Sequence, residues 1–83
     1  MIVRSMNGNL RKSLAEYIIG KRESIRLIGP PTVIAVVYET TQASRELYVA
    51  LETGRVPLVE GALRRKKEAV ERWERVTGMK WDL

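Results

Sequence analysis

The chain has 83 residues and a net charge of +5, from 15 Lys and Arg against 10 Asp and Glu, with neither Cys nor His. That length sets the expectation of one domain, near the low end of what folds alone. Without Cys and His there is no disulfide framework, zinc finger, thiol nucleophile or imidazole acid–base catalyst, and with Phe absent the core is expected to be aliphatic, helped by a few Tyr and Trp.

Met1 to Met6 alternates weakly and reads as a short strand, and Asn7-Gly8 as a turn. Asn9 suits a helix cap. Leu10, Leu14, Tyr17 and Ile18 then share one helical face, which Ile25 and Ile28 continue, so the first helix is expected to run from Asn9 to Gly20 or to Ile28. Gly29-Pro30-Pro31 ends it, because a residue before Pro avoids the α region. The expected short apolar run Val33 to Tyr38 cannot span a bilayer, and no signal-peptide stretch follows Arg4.

From Thr32 to Thr53 a helical wheel places Val33, Val36, Val37, Thr40, Ala43, Ser44, Leu47, Tyr48, Ala50 and Leu51 on one half. Glu39, Gln42, Arg45, Glu46 and Glu52 fall on the other, a separation that marks a helix. Pro31 suits its start and Gly54 its end. The run Val33-Ile34-Ala35-Val36-Val37-Tyr38 is also rich in strand formers, and Thr53-Gly54 could turn a hairpin into Val56 to Val59, so a β-meander stays open here.

The third segment, about Glu60 to Thr77, is a clearer helix. Ala62, Leu63, Ala69, Val70, Trp73 and Val76 form its apolar stripe, with Arg64, Arg65, Lys67, Glu68, Glu71, Arg72, Glu74 and Arg75 opposite. Glu68–Arg72 and Glu71–Arg75 have the favourable order for pairs four apart. Thr77-Gly78 ends it, and Trp81 in the following tail is expected to dock on apolar surface.

Charge concentrates at the ends. Residues 1–28 carry six bases and two acids, residues 29–59 two and three, and residues 60–83 seven and five. Such a surface attracts polyanions. Arg64-Arg65-Lys66-Lys67 is the densest run and a candidate phosphate grip, although the macrodipole disfavours bases in a first helical turn. Arg11, Lys12, Lys21, Arg22 and Arg26 make a second candidate patch. Glu39, Glu46 and Glu52 share a face, but without converging ligands they read as a solvated surface and not as a metal site. With glycines scattered singly and no phosphate loop, the chain is expected to bind rather than catalyse, with no cofactor.

The stretch from Thr40 to Arg55 resembles the second half of a helix-turn-helix of the phage-repressor type, with Ser44, Tyr48, Leu51, Glu52, Gly54 and Arg55 in register. The resemblance implies a first helix from Val33 to Thr40, a turn near Gln42, and a recognition helix from Ser44 to Thr53 in the major groove. Gln42, Ser44 and Arg45 would then read bases. Tyr38 and Gln42 depart from the family, which has a small residue and a Gly at those places.

The expected fold is mainly α, a three-to-four-helix bundle with or without the N-terminal strand; the alternative is α+β, a central β-meander with a C-terminal helix. It is one domain, residues 1–83, with residues 1–8 as an arm and residues 79–83 as a tail, both candidates for flexibility. The expected function is a small DNA-binding regulator of phage, plasmid or microbial type, working as a homodimer in the cytoplasm, or associated with the virion if viral. Its nucleic-acid contacts would come from Gln42, Ser44, Arg45, Arg55, Arg64, Arg65, Lys66 and Lys67. Two alternatives remain: a helical assembly or interaction protein, such as a virion or complex subunit, and an RNA-binding module.

Overall fold

The computed structural model describes residues 8–83, which form three helices and no strand. They are α1 (Gly8–Ile18), α2 (Pro31–Thr53) and α3 (Val56–Thr77). The bundle expectation holds at this level. The strand assigned to Met1 to Met6 lies outside the described residues. The β-meander is not formed: Thr32 to Thr53 is helical throughout, since its two-sided polarity outweighs the local strand propensity of Val33 to Tyr38.

Each end has a local cause. Gly20 adopts φ +84°, and Gly20 N–H bonds to Tyr17 O while Lys21 N–H reaches back to Glu16 O, a paired closure that stops α1. The continuation to Ile28 therefore does not occur. Ile25 packs on the core from the loop, where its carbonyl accepts a bond from the Tyr38 hydroxyl at 3.0 Å. Pro31 opens α2, and Gly54 at φ +70° closes it with its N–H on Leu51 O. Helix α3 starts at Val56 and not Glu60, because Pro57 fits a first turn that needs no N–H donor.

α2 and α3 form an antiparallel hairpin around a two-residue turn. Its seam is built from small residues seven apart: Ala43 and Ala50 on α2, Ala62 and Ala69 on α3, all buried. Alanines let the backbones approach, and the buried Thr40 hydroxyl lies 3.3 Å from Ala69 O on the facing helix while bonding Val36 O at 2.6 Å. The outer edge of the seam carries rungs at the same spacing: Arg72 donates to Glu39 and Arg65 to Glu46. A seven-residue step along one helix is matched by seven along the other.

The core lies at the open end of the hairpin, where Leu10, Leu14 and Ile18 of α1 meet Val36, Val37, Trp73 and Trp81. The tail is docked. Trp81 stands edge-on to Trp73, centroids 5.4 Å apart, and its Nε1–H donates to the Ser44 hydroxyl at 3.2 Å. Asp82 pairs with Arg11, and Lys66 Nζ holds the Leu83 main-chain oxygen at 3.1 Å. Among the described residues, no helix is long and apolar enough to cross a membrane.

Candidate functional site

The residues expected to read nucleic acid are not gathered on one surface. The expected turn near Gln42 is absent: α2 runs unbroken through Thr41–Ser44, so no separate recognition helix begins at Ser44. The buried side of that stretch packs on both neighbours, which leaves a helical break nothing to gain. Ser44 is itself buried, its hydroxyl accepting from Trp81.

Arg45 points back to α1. Its guanidinium donates to Tyr17 O and Ile18 O, both at 3.1 Å, and lies over the Tyr17 ring at 5.8 Å. It gives the Ile18 carbonyl a donor at the helix end and adds a second one to Tyr17 O, which also accepts from Gly20 N–H. Gln42 Nε2 donates to the Tyr17 hydroxyl beside it.

The basic run also disperses. Arg65 pairs with Glu46 across the seam, and Lys66 holds the tail. Arg64 and Lys67 are exposed on the outer side of α3, where helical spacing interleaves them with Glu60, Glu68 and Glu71. Arg55 is exposed at the hairpin turn, away from both. Of the three acids sharing a face, Glu39 and Glu46 are taken up by the rungs, and no metal-ligating cluster exists among the described residues. Its bond to Glu39 raises the Arg72 pKa above the usual arginine value.

What the structure does gather is apolar. α1 has 11 residues and α2 has 23, so at 1.5 Å per residue α1 covers about half of α2. The tail covers α3 only as far as Lys66. Beyond that boundary the hairpin face continues bare. Leu47 and Leu51 extend the α2 positions that bury Val37 and Ser44, and Val59 and Leu63 extend the α3 side that holds Lys66 and Val70. Leu51 is 59% exposed and Leu63 56%.

A concavity of about 250 Å³ marks the step, lined by Ile18 of α1 and Ile19 just after it, Leu47, Tyr48 and Leu51 of α2, and Lys66. At its rim Tyr48 bonds Glu52; that bond, then the carboxylate's charge, raises the phenol's pKa. Helical spacing puts Leu51 and Leu63 in the apolar stripes of their helices, yet both are exposed. The signal for their exposure is the length mismatch that Gly20 creates, together with Ile19, 40% exposed just past the end of α1. No family model, curated protein or solved structure matches the chain.

Proposed function

We propose that the chain is a helical assembly protein, and that the bare half of the hairpin face takes an amphipathic helix of a protein partner. The observation that carries this is α1 itself. It is a helix laid with Leu10, Leu14 and Ile18 on this same face, and the apolar surface continues past its end at helical spacing. Monomers seldom leave such continuous apolar ground open without use. The chemistry is association: the hydroxyls near the concavity are engaged, Ser44 with Trp81 and Tyr48 with Glu52, and its one base, Lys66, is tied to the tail.

The test uses a neutral solvatochromic dye at low micromolar protein. Enhanced, blue-shifted emission is expected from the wild type and its loss from Leu51→Lys/Leu63→Lys, with helical content by circular dichroism unchanged. Equal emission from both proteins would overturn the reading.

A second reading, nucleic-acid binding with DNA ahead of RNA, is favoured by one observation. Residues 8–28 carry Arg11, Lys12, Lys21, Arg22 and Arg26 against Glu16 and Glu23. On this reading α1 and the loop after it form the phosphate-facing side, and contacts are not base-specific. Fluorescence anisotropy of labelled duplex DNA at two salt concentrations tests it: steep weakening with salt supports it, and no binding at low salt removes it.

A further inference from the structure

We infer that the partner seated on the bare half of the hairpin face is an amphipathic helix with Lys or Arg on both sides of its apolar stripe, held at the end that lies over the turn by Glu52 of α2 and Glu60 of α3. This rests on the docking reading above and gives the partner its chemistry.

The first ground is placement. On α2, Glu52 follows Leu51 and lies on the side of it away from the alanine seam. On α3, Glu60 lies one turn before Leu63, and likewise away from the seam. The rungs Glu39–Arg72 and Glu46–Arg65 fix the register, in which position 52 faces position 59. The two carboxylates therefore stand within one residue rise, ~1.5 Å, of the same level, one on each flank of the bare face. Packed helices have axes ~8–10 Å apart, and a helix laid between them is ~10 Å across. Carboxylates on the two outer flanks come up on either side of such a helix, where they meet the residues that border its apolar stripe.

The second ground is that both charges are unspent. Glu39 and Glu46 are taken up by the rungs, whereas Glu60 is exposed and has no ion pair among the described residues. Glu52 is exposed as well, with a bond to the neutral Tyr48 hydroxyl and no ion pair. Two carboxylates without counter-ions that frame apolar ground select a cationic border on whatever covers it.

The third ground is the contrast with the rest of the chain. Residues 47–63 carry one base, Arg55, and two acids, while the other residues carry fourteen bases and eight acids. The basic body repels a basic partner, but the bare arm from Leu47 to Thr53 is ~10 Å long, about one Debye length at physiological ionic strength. Over the turn the local carboxylates therefore decide. Toward the shoulder the sign reverses, with the exposed Lys67 on the α3 flank, so the partner's bases belong at its turn end.

The experiment uses two dye-labelled peptides of about 16 residues, long enough to be helical in water, with the same Leu stripe. One carries Lys on both sides of the stripe at one end, and the other carries Glu at the same places. Fluorescence anisotropy should show the wild type binding the Lys peptide about tenfold more tightly than the Glu peptide, the sum of small exposed pairings changed from attraction to repulsion. Glu52→Lys/Glu60→Lys should reverse the preference, and Leu51→Ser/Leu63→Ser should abolish binding of both, with helical content by circular dichroism unchanged. Equal affinities, or a preference that the double charge swap leaves as it is, overturn the inference. If the two peptides bind alike and through Leu51 and Leu63, the docking reading stands without a basic partner. If neither peptide binds, the inference falls, and if the dye is not bound either, the docking reading falls with it. A dimer of the chain alone, seen by sedimentation and dissociated by Leu51→Ser/Leu63→Ser, would give the face to a second copy and also overturn the inference.

Discussion

The guanidinium of Arg45 donates to the carbonyl oxygen of Ile18 at 3.1 Å, and to that of Tyr17 at the same distance. A residue from the middle of α2 thus ends α1, and a side chain whose sequence context suggested base reading is half-buried and spent on backbone acceptors. The same contact crowds the start of the loop. A Cβ added to Gly20 would lie 3.3 Å from the guanidinium, at a φ of +84° that side chains disfavour.

Arg45→Ala is therefore expected to act on stability. Removing the donor leaves the Ile18 carbonyl without the guanidinium and Tyr17 O with only the Gly20 N–H, a loss of about 1–3 kcal/mol. Urea denaturation measures it, and hydrogen exchange should show the amides of α1 losing protection before those of α3. A midpoint equal to that of the wild type would contradict the capping role.

The alanine seam sets a second expectation. Ala43→Leu or Ala69→Leu inserts a branched side chain where the helices meet, at a cost of about 1–3 kcal/mol from overpacking. The exposed Ala35→Leu in the same helix should change little. Thermal denaturation of the three variants compares them directly, and equal melting temperatures would show that the seam is not closely packed.

Trp81→Ala removes the edge-on contact to Trp73 and leaves the buried Ser44 hydroxyl without its donor. Loss of an aromatic of this size from a core costs about 3–5 kcal/mol, which is a large share of what so small a domain has. The variant is expected to be largely unfolded at 37 °C by circular dichroism. Retention of full cooperativity would mean that the tail contributes little.

Tyr48 gives a pH prediction. Its bond to Glu52, and then the charge of that carboxylate, raise the pKa, so the phenol stays protonated beyond the usual tyrosine range. Linkage follows in sign: the proton is held more tightly in the folded chain, so the associated stability is present below the unfolded pKa and is lost as pH rises through the folded one. In a Tyr17→Phe/Tyr38→Phe background, ultraviolet titration should place Tyr48 lower after Glu52→Gln. No movement would remove Glu52 as the cause.

The three helices were legible because their punctuation is local. Pro31, Gly54, Thr77-Gly78 and the two-sided polarity of Thr32 to Thr53 are each read within a few residues. What was not legible depends on where a side chain goes. The sequence does not show whether Arg45 reaches solvent or folds back on Ile18, nor that Lys66 finds Leu83 rather than a phosphate. The bare face was hidden by one choice. A helix running from Asn9 to Ile28 would have matched α2 in length, and the stop at Gly20 leaves Leu51 and Leu63 uncovered. The alanines are legible as apolar positions, but their sevenfold spacing acquires meaning only once the two helices are known to face each other.

That spacing makes the hairpin a ruler with a fixed graduation. Because Glu39 faces Arg72 and Glu46 faces Arg65, one whole heptad could be excised from each helix near the turn, or one added, with every remaining rung still meeting its mate. Deleting a single residue from one side would instead rotate its alanines out of the seam. Length variants of this chain should therefore tolerate change only in matched units of seven, and the reach of the projecting arm could be tuned in ~10 Å increments while the tryptophan-bearing base stays as it is.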